Sequence, residues 1–149
     1  LGRNRGTLRR MRFDYREAAL RHWQDAKYLG AGKRPANADQ LYGLAAECAL
    51  KYAMVVALGA PMTPAGDLID RSHRRHIDEL WSEYQTSVAG RRGSRFLSPL
   101  SRFADNPFKD WSIARRYAAD SETPGGAILD RHCKASRACL VVLERAGEV

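Results

Sequence analysis

Few of the residue patterns that announce a particular chemistry occur in this 149-residue chain. It has only three cysteines, Cys48, Cys133 and Cys139, and no Cys-x-x-Cys pair. Their odd number and helix-like apolar surroundings argue against a disulfide framework, and they read as buried free thiols in a reducing cytoplasm. There is no Gly-x-Ser-x-Gly elbow and no Gly-rich phosphate loop; "TPGGA" reads as a turn into a helix. His73 and His76 have a helical metal-ligand spacing, but no acidic or cysteine set flanks them in a zinc pattern. Neither a metal nor a cofactor is expected. The longest apolar stretch, Tyr52 to Met62, is too short to span a bilayer and is interrupted by Gly59 and Pro61. No apolar run follows the basic N-terminus, so no secretory leader is expected. Strand signals are missing as well: no sustained period of two, no Asn-Gly or Asp-Gly hairpin.

What the chain does have is arginine. Twenty arginines and five lysines stand against 17 acids, a net charge of +8. Such a balance favours an acidic partner, with RNA or DNA first. Five of the arginines fall in Leu1–Arg12, which holds no acid, so the rest of the chain is only modestly basic. Residues 1–12 are expected to be a basic extension, with Met11 able to serve as a translation start and Leu1 not. Residues 13–149 are expected to form one domain. A chain of this size buries roughly 68–70% of its unfolded surface, enough for a core without staples.

The periodicity is helical throughout. Tyr15, Ala18, Ala19, His22, Trp23, Ala26 and Leu29 fall at three- and four-residue spacings in a first helix over Phe13–Leu29. Asn37, with Gln40 three residues on, is the expected cap of a second, ended by Gly59. Its small residues Gly43, Ala45, Ala46, Ala49, Ala53 and Ala57 suit a central helix approached from several sides. Glu47 and Lys51 form an i,i+4 pair expected on its wet face. A third helix is expected from Asp70 to Ala89, then an exposed basic connection over Gly90–Asn106 carrying Arg91, Arg92, Arg95 and Arg102, with a short helix near Pro99–Ala104. In "NPFKDWSIARRYAAD", Asn106 is the expected cap and Pro107 the first helical residue. A last helix runs from Ala127 to Ala146 with His132 inward. The fold class is all-α: a bundle of four main helices plus a short one.

These pieces, in this order, resemble a HEPN domain, the small helical domain named for higher eukaryotes and prokaryotes nucleotide-binding. The resemblance begins at "FDYREAALRHWQDAKYL". It continues in "NADQLYGLAAECALKYAMVVALG", where a glutamate precedes a lysine by one turn. "HIDELW" is similar to the family's His-x-x-x-Leu helix opening, "WSIARRYAAD" to its late Arg-Tyr element, and the last helix fits in place. The resemblance covers nearly the whole chain from Phe13 and implies an up-and-down bundle. It also implies three possible roles: a metal-independent ribonuclease, often a toxin or defence effector; a companion of a nucleotidyltransferase-like protein; or a non-catalytic binding and dimerisation module. Ribonuclease members usually carry an Arg-x(4–6)-His motif, paired across a homodimer.

"DRSHRRHIDELW" holds such a motif in Arg71 and His76. Histidine titrates near neutral pH and can serve as base or acid, while arginine binds phosphate bidentately and stays charged. With arginine this frequent, matches also arise by chance, and a second pair is present in Arg16 and His22. His76 also occupies the helix-opening position, where capping or packing is the plainer role. His22 reads as a core or interface histidine and His73 as solvated. The expected catalytic pair is Arg71 and His76, and the expected nucleic-acid contacts are Arg74, Arg75, Arg115, Arg116 and Tyr117. Two readings stand: a cytoplasmic, homodimeric RNA-cleaving effector, and a non-catalytic module that binds a nucleotide or a nucleotidyltransferase-like partner.

Overall fold

A computed structural model describes residues 11–89 and 93–148. The first ten residues of the expected extension, and Arg91 and Arg92 of the basic connection, lie outside the described residues. The chain is all-α, with helices α1 (Tyr15–Ala31), α2 (Pro35–Leu58), α3 (Ile77–Val88), α4 (Gly93–Leu97) and α5 (Gly126–Gly147). Among the described residues no strand forms beyond an isolated bridge between Met62 and Leu68.

Helix α2 is the axle, packed by α1, α3 and α5. Its run of small residues permits this: Ala38, Ala45, Ala46, Ala49 and Ala53 are all fully buried, beside Leu50 and Met54. Gly43 has a specific reason. A Cβ there would lie 2.1 Å from the Trp111 indole, which rests on the bare helix backbone and donates from Nε1 to the Asp39 carbonyl at 3.0 Å. By length and composition α2 could cross a bilayer, but 61% of its apolar window is buried inside the protein, as in a core helix. Leu50, Met54, Ile77 and Leu80 are sealed from water, and each such side chain contributes roughly 1.5–3 kcal/mol.

Several expected boundaries move. Helix α2 starts two residues before Asn37: Arg34 is the cap residue and Pro35 takes the first turn, where its missing N–H costs nothing. The third helix does not begin at Asp70. Asp70 caps a 3₁₀ turn, Arg71–Arg74, by accepting from the Ser72 amide at 2.9 Å, and α3 starts only at Ile77 with His76 as its cap residue. The short helix lies earlier than Pro99–Ala104, as α4 and a 3₁₀ turn at Ser98–Leu100. Asn106 does cap, accepting from the Phe108 amide at 2.9 Å, but no helix follows. Phe108 and Trp111 must both be buried, and the chain between them stays irregular, with a 3₁₀ turn at Ile113–Tyr117.

The three cysteines are free; Cys139 is buried, whereas Cys48 and Cys133 are partly exposed.

Candidate functional site

The residues expected to act together fall into two groups. The first is the strap Asp70–His76 that leads into α3. Arg71 is exposed and has no side-chain partner among the described residues. Arg74 pairs with Asp67 at 3.2 Å, and Arg75 with Glu79 at 3.1 Å. His73 is not solvated: its side chain is 15% exposed, lies 3.9 Å from Glu83 and 4.0 Å from Asp70, and leaves Nδ1 buried without a partner. The second group lies on the 3₁₀ turn packed against α2. There Arg115 donates to the Glu122 carbonyl at 3.2 Å, and the Arg116 guanidinium sits 4.7 Å over the ring of Tyr117, itself 79% exposed. No hydrogen bond or ion pair joins the two groups among the described residues. Arg74 and Arg115 line different cavities.

His76 does not meet Arg71 in any hydrogen bond or ion pair among the described residues. It meets Glu47. Nδ1 lies 2.8 Å from Glu47 Oε1, and the other carboxylate oxygen accepts from Lys51 Nζ at 3.1 Å. Glu47 and Lys51 were expected on a wet face, yet both are buried, because α2 is covered on nearly every side. The carboxylate thus holds a buried ammonium and a half-exposed imidazole. The hydrogen bond to Glu47 raises the His76 pKa above its ordinary value; partial burial opposes this and the nearby carboxylate charge reinforces it. The charged ring is favoured, and Nε2 has no protein partner among the described residues. Carboxylate, oriented imidazole and an unengaged second nitrogen form the constellation that proton transfer requires.

Glu47 and Lys51 also line an open cleft of about 470 Å³ between the start of α1, the middle of α2 and the loop before the strap. Tyr15 forms one wall. Its hydroxyl donates to Asp67 at 2.9 Å and accepts from the Leu68 amide at 3.3 Å, and burial followed by that bond to Asp67 raises its pKa. The Cys48 thiol is pushed up to about 12 by burial and by Glu47, so it is no nucleophile. Beside the cleft, Gly66 has a φ of +92°, and a Cβ there would fall 2.6 Å from the Phe13 carbonyl oxygen, so no side chain fits.

A second node is buried at its centre, with Asp110 and Arg131 reaching the surface. His132, fully buried on α5, faces Asp39 Oδ1 at 2.5 Å from Nδ1 and Asp110 Oδ1 at 2.9 Å from Nε2, while Arg131 pairs with the other Asp110 oxygen. Phe108 stacks on the imidazole with centroids 5.2 Å apart. Burial pushes the Asp110 carboxyl up, but the bonds from His132 and Arg131 outweigh it and leave the pKa below the usual value. The expected inward placement of His132 is what the structure shows; its two carboxylates are an addition. His22 on α1 is half-buried, and burial, with the neighbouring Arg21 charge, lowers its pKa. Among the described residues no group of three or more His, Cys, Asp or Glu side chains could hold a metal ion.

Glu47 was the functional candidate that sequence reasoning passed over. Its signal was weak but present: a lone glutamate one turn from a lysine inside an otherwise apolar, alanine-rich helix. No family model, no curated protein and no solved structure matches this chain.

Proposed function

We propose that this HEPN-like protein acts on RNA as a metal-independent endoribonuclease, a cytoplasmic effector of a toxin–antitoxin or defence system that works as a homodimer. The observation that supports this reading best is the His76–Glu47 pair, with Nδ1 held at 2.8 Å and the opposite nitrogen unengaged among the described residues. In the reaction, a 2′-hydroxyl loses its proton to a neutral imidazole and its oxygen attacks the adjacent phosphorus. The bond from phosphorus to the 5′-oxygen breaks, and a protonated imidazole gives its proton to that leaving oxygen. The products carry a 2′,3′-cyclic phosphate and a 5′-hydroxyl. The raised pKa of His76 suits the acid step, and a dimer brings a second His76 for the base step. Arg71, exposed and unpaired among the described residues, neutralises the phosphorane charge. Arg74, Arg75, Arg115, Arg116 and Tyr117 supply the surrounding contacts.

Incubation with tRNA and with total RNA in the presence of a chelator tests this reading. The wild type is expected to cleave, and His76→Ala to lose about 10²–10⁴-fold in rate. Equal cleavage by both proteins, or none by either across a panel of RNAs, would overturn it.

One observation favours the second reading, a non-catalytic module that binds a nucleotide or a nucleotidyltransferase-like partner. Arg71 and His76 make no mutual contact among the described residues, and His76 is already engaged by a buried carboxylate, as a structural histidine would be. Gene neighbourhood separates the two: a small nucleotidyltransferase next door supports pairing, whereas restriction or defence genes support the effector.

A further inference from the structure

His76 is half-exposed, and its ring makes one hydrogen bond among the described residues, between Nδ1 and Glu47 at 2.8 Å. One such contact fixes a distance but not a plane. The outer side-chain torsion of histidine is broad, so the ring can pivot about that bond or turn away from it. A ring that presents Nε2 in a fixed direction needs a second surface to lie against. Trp111 supplies one. Its indole stands beside the imidazole, with ring centroids 6.5 Å apart and planes at 57°, within the range in which aromatic pairs attract.

Trp111 is placed without help from His76. Asp39, Gly43 and Glu47 stand at four-residue intervals on α2 and so share one face of it. The indole donates to the Asp39 carbonyl at 3.0 Å, lies over the bare backbone of Gly43, and reaches the imidazole that Glu47 holds. Its segment is tied down on both sides. Asn106 Nδ2 donates to the Asp78 carbonyl in the first turn of α3 at 2.7 Å, and Gln40 Nε2 donates to the Ser112 carbonyl at 2.8 Å. The indole is 1% exposed. A buried ring anchored at its nitrogen sets the position of a half-exposed neighbour, and not the reverse.

We infer that Trp111 is a positioning residue for His76, its indole being the second of two contacts, after Glu47, that fix the imidazole plane. The inference takes its catalytic meaning from the ribonuclease reading, while the geometry it asserts stands without that reading. The charged groups acting on the ring are Glu47 and Lys51 from α2 and Asp78 from α3. Trp111 adds no charge. It acts on His76 by excluding water and by holding the ring in place, and these two effects have opposite signs. The bond to Glu47 raises the His76 pKa and is the larger influence; burial lowers it. If Trp111 only filled space, its removal would admit water and let the pKa rise further. If it holds the ring on Glu47, its removal lets the ring swing off, and the pKa falls toward the ordinary 6.5.

The experiment follows the His76 ring by NMR through a pH titration of the full chain, in the wild type and in Trp111→Leu and Trp111→Phe. Trp111→Leu is expected to lose the upward displacement of the His76 pKa although Glu47 is untouched. Trp111→Phe, which keeps an aromatic face, is expected to retain more of it. A His76 pKa in folded Trp111→Leu that stays at the wild-type value or rises overturns the inference, as does equal titration of the two variants. A fully buried tryptophan is a risk to folding, so a second measurement uses the wild type alone. Cross-relaxation between the His76 ring protons and the Trp111 indole protons is expected both below and above the His76 titration. Its persistence once the ring is neutral, when the charge-assisted hold of Glu47 is weakened, supports the indole as a contact in its own right. Its absence, or its loss on deprotonation, overturns that role. Neither measurement needs RNA. A protein that cleaves none can pass both, and one that cleaves can fail both, so the two ideas fall separately.

Discussion

Two histidines in this protein are held by carboxylates from α2, and they differ in almost everything else. His132 is fully buried, and both ring nitrogens face carboxylates, Asp39 and Asp110. His76 is half-exposed, one nitrogen faces Glu47, and the other has no protein partner among the described residues. A ring with neither nitrogen left over holds elements together: His132 ties α5 to α2 and to the irregular segment around Asp110, and the atom left without a partner among the described residues is Asp39 Oδ2, buried beneath it. A half-exposed node with one ring nitrogen to spare among the described residues has something to offer a ligand. Completeness of hydrogen bonding separates a structural histidine from a functional one better than the identity of its neighbours does.

The largest expected effect comes from breaking the buried node. His132→Ala leaves Asp39 and Asp110 facing each other without their shared donor and should cost about 3–5 kcal/mol, as when one partner of a buried ion pair is removed. Urea unfolding measures this. A loss below about 1 kcal/mol would mean that the node does not hold the segment to the helices. Gly43→Ala attacks the same docking by sterics. Its new methyl group would meet the Trp111 indole at 2.1 Å, so Trp111 must move. Overpacking of this kind costs about 1–3 kcal/mol, and tryptophan fluorescence should shift to the red as the indole is exposed.

The two nodes should also fail at opposite ends of the pH scale. Asp110 has a folded pKa below its ordinary 3.8, so its contribution is present above that value and is lost as pH falls through the depressed one. His76 has a folded pKa above its ordinary 6.5, so its contribution is full below that value and is lost as pH rises through the raised one. Histidine proton NMR titration should find His76 displaced upward in the wild type and back toward its ordinary value in Glu47→Gln. If the two proteins titrate alike, Glu47 is not what orients the ring.

Much of this architecture was legible in the sequence, and the failures have physical causes. The spans of α1, α2 and α5 follow from apolar residues at helical spacing, because a long stripe survives errors of a residue or two at its ends. Asp70 misplaces the start of α3 since an Asp N-cap serves a 3₁₀ turn as well as an α-helix; only the strap's return to α2 shows which it starts. Asn106-Pro107 carries a helix-start signature, yet Phe108 and Trp111 are buried against opposite demands and Asp110 between them turns toward His132. The reading of Glu47 and Lys51 as a wet pair failed most instructively. An i,i+4 pair looks the same in sequence on any face, and whether that face is covered depends on residues far along the chain. His76 is 29 residues from Glu47 and Asp39 is 93 from His132, so neither node has a local signature.

The smallest expected effect lies within the strap, between Arg71 and Arg75. Arg75 is paired with Glu79 across a half-exposed gap of 3.1 Å, whereas Arg71 has no partner among the described residues. Removing either should barely move stability, by about 0.2–1 kcal/mol for Arg75→Ala and less for Arg71→Ala, because exposed ion pairs are screened and entropically costly. Their effects on RNA should differ. An unpaired guanidinium reaches a phosphate without first giving up a carboxylate, and each phosphate contact adds a little under one to the slope of log affinity against log salt on a single strand. Arg71→Ala should therefore lower that slope by about 0.7, while Arg75→Ala lowers it by less, since Arg75 must exchange Glu79 for phosphate. Filter binding to a non-cleavable single strand over a salt series measures both. Equal slopes for wild type and Arg71→Ala would take Arg71 out of the phosphate contacts, and with it the arginine half of the motif that the strap presents.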